Sequence, residues 1–199
     1  MKCYATSNSP YARKVRIVAL ENGVYEKVDW QIITREERAQ IVPDINPLGK
    51  VPVAVMESGQ VLCDSPVICA YIDSLTKDKN LIPTSGPKRW EVLTLEAFGD
   101  GLGEAVIAAS QEDQRPGEKR SQGIVDRQVG KANAALGFLD NVANDFNTSP
   151  LMGEIAVACA LGYMEFRDVI PSWRNKYSNL GSWYTEILKR QSFVDTNPD

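Results

Sequence analysis

Residues 46–65 read Asn46-Pro47-Leu48-Gly49-Lys50-Val51-Pro52-Val53-Ala54-Val55-Met56-Glu57-Ser58-Gly59-Gln60-Val61-Leu62-Cys63-Asp64-Ser65, and the rest of the chain is arranged around them. Asn46, Pro47 and Gly49 punctuate the backbone as a turn. Val51 to Met56 is a short apolar run that predicts a strand. Glu57, Ser58 and Gly59 reverse the chain, and Gln60 to Cys63 predicts a second strand paired back on the first. A helix follows directly, with Ser65 as its N-cap, Pro66 in the first turn, and Val67, Ile68, Tyr71, Ile72 and Leu75 at helical spacing. Pro52 stands at a strand start, where its missing N–H is tolerated. An X-Pro bond there is expected to be cis, turning the Val51 backbone toward an open cleft.

Working back to the N-terminus, Lys2 to Thr6 predicts a strand containing Tyr4. Ser7, Asn8 and Ser9 break it, and Ser9-Pro10 opens a helix that Asn22-Gly23 closes. Tyr25 to Ile33 predicts a strand parallel to the first, because a helix intervenes. Arg35 to Ile41 reads as either a charged helix or an irregular segment. The first 76 residues thus give β-α-β-α-β-β-α. Residues 77–88, with Pro83 and Pro87, predict a linker. Residues 89–199 carry only helical patterns, over Arg89 to Ser110, Glu118 to Asn141, Pro150 to Val169 and Ser182 to Arg190. The expected architecture is therefore an α/β domain, a linker, and an all-α domain.

Composition bounds the function. The chain has 199 residues, 43% hydrophobic and 24% charged, with a net charge of −4. This suits a globular protein and gives no basis for a nucleic-acid partner. No apolar run approaches the roughly 20 residues that cross a bilayer, and no basic, apolar leader precedes the first strand. The chain contains no histidine, which excludes a Ser-His-Asp hydrolase and argues against a catalytic zinc site. Cys3, Cys63, Cys69 and Cys159 lie in apolar stretches without metal-ligand spacing, as buried reduced thiols of a cytosolic protein do. Cys63 stands apart, beside the start of the helix at Ser65.

That helix start carries free N–H groups and the positive end of a dipole, a natural carboxylate site. An exposed Val51 edge beside an anion site suits a small acidic peptide. The start at Ser9-Pro10 has the same form, and Ser149-Pro150 repeats it, so helix capping alone also accounts for these serines. A capping hydroxyl accepts through its oxygen and keeps its own hydrogen to donate, so a cap and a ligand contact are compatible.

Asn46-Pro47…Gly49-Lys50-Val51-Pro52 followed by Asp64-Ser65, together with Ser9-Pro10 after the first strand, resembles the glutathione S-transferase superfamily, in particular its small bacterial-type members. The resemblance runs along nearly the whole chain. It implies a thioredoxin-like N-terminal domain, which the element order matches, followed by an all-helical bundle, and a homodimer. Glutathione is the implied co-substrate, conjugated to an apolar electrophile. On this resemblance Ser9 contacts the sulfur, with Ser7 as the runner-up and the strand residue Tyr4 a weaker candidate. Val51 offers its backbone to the cysteinyl part and Lys50 meets the glycine carboxylate. Ser65 binds the γ-glutamyl carboxylate, with Asp64 near the amino group, where many members carry Glu or Gln. A hydroxyl bonded to sulfur, at a helix N-terminus, favours the thiolate without a general base.

Arg13 and Lys14 are expected to add positive potential as exposed helix charges. The electrophile is expected between the domains, against Phe98-Gly99-Asp100-Gly101-Leu102-Gly103. Glycines inside a helix imply close approach by a ligand or partner helix, or a frayed segment. The family's capping box at the third C-terminal helix is half kept, with Glu154 in the acidic place and Leu151 in the cap. Ser149-Pro150 is expected to start that helix slightly earlier. A glutathione-dependent thiol-disulfide oxidoreductase would need a nucleophilic cysteine where Ser9 stands, or Cys63 in its stead. A binding module without turnover is the non-enzymatic alternative.

Overall fold

The computed structural model describes residues 1–76 and 80–198, so the first three positions of the expected linker lie outside the described residues. Strands β1 (Lys2–Ala5), β2 (Asp29–Ile32), β3 (Val53–Val55) and β4 (Val61–Leu62) form one sheet in the order β2-β1-β3-β4. β1 and β2 are parallel, while β3 is antiparallel to both β1 and β4. Helices α1 (Pro10–Glu21), α2 (Arg35–Ile41) and α3 (Ser65–Ser74) complete the thioredoxin-like domain. Six helices follow: α4 (Pro87–Asp113), α5 (Gln122–Val142), α6 (Met152–Phe166), α7 (Trp173–Lys176), α8 (Ser178–Ile187) and α9 (Gln191–Val194).

Most departures from expectation are of register. The strands of the hairpin are shorter than 51–56 and 60–63. Tyr25 to Ile33 divides into a 3-10 turn, Tyr25–Lys27, and β2. The charged segment at 35–41 is a regular helix because Thr34 caps it. Glu37 N donates to Thr34 Oγ1 at 3.2 Å, and Thr34 N donates to the Glu37 carboxylate at 2.8 Å. Ser149-Pro150 does not start α6, which begins at Met152 with Leu151 in the cap position. A leucine side chain accepts nothing, so only the Glu154 half of the box remains, accepting from Leu151 N at 2.9 Å. The helix expected from Ser182 begins at Ser178.

The two halves pack as one body around α1, α4 and α6. Close approach explains Gly99, where a Cβ would meet the Ala156 and Val157 backbone at 2.6 Å, so α4 and α6 touch backbone to backbone, whereas Gly101 meets nothing within 4 Å. α4 is continuous through all three glycines, which rules out the frayed alternative. Asp73 of α3 pins the chain beyond the domain, accepting from Leu81 N at 2.8 Å and Ile82 N at 3.0 Å. Met152 N then donates to Leu81 O, joining α6 to the same segment.

Arg13 and Lys14 correct a clear expectation. They are 2% and 1% exposed. Lys14 Nζ donates to Glu96 Oε1 at 3.0 Å and to both Asp100 oxygens at 2.8 and 2.7 Å. Arg13 donates to Phe193 O and Thr196 Oγ1, tying the last helix to α1. These charges are spent on the domain seam and do not project a positive field. Burial disfavours the Lys14 ammonium, yet the facing Asp100 and Glu96 carboxylates outweigh it and hold its pKa above the ordinary lysine value.

Candidate active site

Three segments meet at the end of the sheet where α1 begins. The first is the turn into α1. Ser9 has extended backbone, and its Oγ accepts from Ala12 N at 3.3 Å, so it caps α1 as expected. With its oxygen engaged, the hydroxyl hydrogen remains free to donate. Ser9 is half-buried, whereas Ser7 is exposed in the preceding turn.

The second segment is the loop before β3. Asn46, only 3% exposed, shapes it: Leu48 N donates to Asn46 Oδ1 at 3.1 Å, and Asn46 Nδ2 donates to Lys50 O at 3.0 Å. Sequence reading took Asn46 as mere punctuation. An asparagine that bonds the backbone two residues on is an Asx-turn signal, which could have marked it. The Val51–Pro52 bond is cis, as predicted. Val51 N–H and C=O take no backbone partner among the described residues, while its side chain is buried against Val42 and Val53. Lys50 is exposed.

The third segment is the start of α3, and here the expected cap is corrected by one residue. Asp64, not Ser65, is the N-cap, and no side chain caps the helix. Ser65 is the first helical residue and is 2% exposed. The Cys63–Asp64 peptide bond is also cis, which nothing in the sequence announced. The uncapped N–H groups and dipole of α3 make the anion site anticipated from sequence.

The fourth wall belongs to the helical half. A narrow crevice, too tight in this structure for a water-sized molecule, runs between Pro10 and Tyr11 of α1, Gly99, Asp100 and Gly103 of α4, and Ala156, Cys159 and Ala160 of α6. Gly103 lies against the Tyr11 ring, and Tyr11 OH donates to Asp100 O at 3.2 Å. Burial and the Glu104, Asp100 and Asp64 carboxylates push the Tyr11 phenol up, so it stays protonated. Phe98 turns away from the crevice and packs on Phe138, with centroids 4.4 Å apart.

Two expected candidates are sorted by this geometry. Tyr4 faces a separate groove with Met1, Lys2, Ile45 and Val55, and it packs against the apolar cluster of Val42, Val51 and Val53 beneath the second segment. Its place on the strand gives it the opposite face from Cys3 and Ala5. Burial keeps Cys159 a thiol, with its pKa pushed up to about 11, and pushes Cys3 up to about 12. Cys69 is raised well above its ordinary value for the same reason. Cys63 alone among the four is exposed.

Known proteins match this arrangement. Residues 8–75 fit the model of the glutathione S-transferase N-terminal domain. The chain is 32% identical over 201 residues to an uncharacterized GST-like protein, YibF, of Escherichia coli strain K12, covering 100% of this chain and 98% of that protein. Among solved structures, a glutathione S-transferase of Methylobacillus flagellatus KT with glutathione bound is 36% identical with a TM-score of 0.93, covering 100% and 99% of the two chains. A glutathione transferase family member of Pseudomonas fluorescens Pf-5, with bound S-(propanoic acid)-glutathione, is 35% identical with a TM-score of 0.88, covering 100% of both. The chain belongs to the glutathione S-transferase superfamily.

Proposed function

We propose that this protein binds glutathione across the three segments and transfers it, as the thiolate, to an electrophile in the interdomain crevice. The observation that carries this reading is a set of polar groups left without internal partners, among the described residues, at one end of the sheet. They are the Val51 backbone, the uncapped start of α3 and the donor hydrogen of Ser9. In this reading Val51 pairs with the cysteinyl backbone, and Ser65 with the α3 N–H groups holds the γ-glutamyl carboxylate. Asp64 takes the amino group, Lys50 the glycine carboxylate, and Ser9 the sulfur. Relatives of the same fold hold glutathione or an S-substituted glutathione, which supports the assignment.

The energetics are modest. Lowering a thiol from its ordinary value of about 8.5 by about two units needs roughly 2.7 kcal/mol. A hydrogen bond to a charged group supplies about 1.5–3 kcal/mol, and the α1 dipole adds to it. No imidazole is required, in keeping with a chain that has none. The electrophile would lie along Tyr11, Gly103 and Ala160. We assign residues 1–76 to glutathione and residues 89–199 to the second substrate, and place the protein in the cytosol, as a homodimer. Val67 and Leu75 of α3 and Trp90 of α4, which are 46%, 48% and 66% exposed, support the pairing of two copies.

The test is direct. Calorimetry should show glutathione binding, and 1-chloro-2,4-dinitrobenzene should be conjugated faster than in buffer. Binding without conjugation of any electrophile would leave a glutathione-binding module. Turnover of glutathione mixed disulfides that Cys63→Ser abolishes would establish the thiol-disulfide alternative.

A further inference from the structure

Beyond the crevice, the cleft wall carries a cation that has no counter-charge among the described residues. Ala156 and Ala160 line the crevice. The same face of α6 continues through Tyr163 to Arg167 at its C-terminal end, since residues three and four apart stack on one side of a helix. α4 runs beside α6 in the same direction, Leu95 lying against Gly153 and Gly99 against Ala156, so this face opens outward past Gly103. Tyr163 and Arg167 stand seven and eleven residues beyond Ala156, which keeps them on the face of α6 that lines the crevice.

Arg167 is anchored against two aromatic rings. Its Nε donates to Tyr163 OH at 3.1 Å. Its guanidinium carbon lies 5.3 Å from the Tyr163 ring centroid and 4.8 Å from that of Phe166. Arg167 forms no ion pair among the described residues, a property it shares with other arginines such as Arg13 and Arg89, and what sets it apart is its place on the α6 face that continues from the crevice. Of its five N–H groups one is used, so both terminal nitrogens keep their donors. A cation at a helix C-terminus also complements the dipole. That role leaves the terminal N–H groups unused, and a planar fork of this kind matches a carboxylate in bidentate fashion.

The charges around the cleft are divided along its length. Asp64, Asp100 and Glu104 bear on Tyr11 at the inner end, with Lys14 holding Asp100. The unpaired cation stands at the outer end, beside the exposed Phe166 ring. We propose that the electrophile carries a carboxylate, gripped in bidentate fashion by Arg167, with an apolar body lying along Tyr11, Tyr163 and Phe166. This inference rests on the transferase reading above. Arg167 is then the specificity residue for the second substrate.

The experiment compares 4-chloro-3,5-dinitrobenzoate with its methyl ester, each rate divided by the uncatalysed rate with free glutathione at the same pH. In both, the thiolate attacks the chlorinated ring carbon, a C–S bond forms, the C–Cl bond breaks and chloride leaves with the electron pair. Arg167→Gln should lower kcat/KM for the carboxylate about 10- to 150-fold. The ester should change by less than about twofold, which also reports that the variant is folded. Arg167→Lys should recover part of the loss, because it keeps the charge without the fork. Equal loss on both substrates, or none on the carboxylate, overturns the proposal. If the wild type conjugates neither substrate, the transferase reading fails, and binding of S-(4-carboxybenzyl)glutathione against S-benzylglutathione then decides the role of Arg167. Arg167→Gln should weaken only the carboxylated ligand, and equal weakening or none overturns the assignment.

Discussion

Two polar clusters sit barely a turn apart on α1 and are opposite in kind. At its start, Ser9 keeps a free donor and faces an uncapped helix end and an unpaired backbone edge. Inside the helix, Lys14 is buried and spends its charge on Glu96 and Asp100. The second cluster is rigid and finished, and it locks α1 against α4. The first is unfinished without a ligand. A group missing its partner at a cleft, with a neighbour whose partners are complete, separates binding machinery from scaffold.

The largest expected effect is on the finished cluster. Lys14→Ala leaves the buried Glu96 and the partly buried Asp100 without their shared cation, and breaking a buried pair costs about 3–5 kcal/mol. Denaturant unfolding measures this. The loss should shrink as the pH is lowered from about 7 to about 4. Burial first, then Glu96 and Asp64, already raise the Asp100 carboxyl, while Lys14 holds it down. Without Lys14 the folded state takes up protons that the unfolded state releases, so the variant gains stability as pH falls. In the wild type the Lys14 contribution runs the other way. It is fully present below the ordinary lysine value of about 10.4 and is lost as pH rises through the raised folded value. A deficit that does not change with pH would mean the cluster is not charged as drawn.

The unfinished cluster should respond in binding rather than stability. Ser65→Ala should weaken glutathione by about 1.5–3 kcal/mol, the worth of a hydrogen bond to a charged group. Unfolding should barely change, because the Ser65 side chain does not cap α3. Unchanged affinity by calorimetry would move the γ-glutamyl carboxylate elsewhere. Asn46 stands between the two kinds. Asn46→Ala removes the bonds with Leu48 N and Lys50 O, each worth about 1 kcal/mol. Stability and glutathione affinity should therefore fall together by about 1–2 kcal/mol, and a loss in only one of them would break the comparison.

How much of this the sequence discloses follows the same division. The fold is legible because its signals are local. Ser-Pro helix starts, glycine reversals and the switch from mixed to helical periodicity each act within a few residues. The three glutathione segments are legible for the same reason, since Ser9, Val51 and Ser65 sit at punctuated breaks. The seam is not. Lys14 reads as a surface charge because its partners, Glu96 and Asp100, lie 82 and 86 residues away. Arg13 is hidden likewise by a partner at Phe193. The cap of α3 is misplaced by one residue because Asp64 and Ser65 are both good caps, and only the chain path through Cys63 decides between them. Tyr4 is assigned to a face by strand alternation, which the short β1 run leaves open in sequence.

The central claim is that Ser9 donates a hydrogen bond to the sulfur and so holds glutathione as a thiolate. The most direct measurement is the thiolate absorbance of bound glutathione against pH, in the wild type, Ser9→Ala and Ser7→Ala, under conditions where all three are folded. Losing the cap costs Ser9→Ala about 1 kcal/mol of stability, which sets those conditions. Ser9→Ala should raise the thiol pKa and slow conjugation by roughly 10- to 150-fold, with a much smaller loss of glutathione affinity. Ser7→Ala, altered at an exposed turn, should titrate as the wild type does. An unshifted curve for Ser9→Ala would reduce Ser9 to a helix cap, and a shift confined to Ser7→Ala would give the sulfur to Ser7.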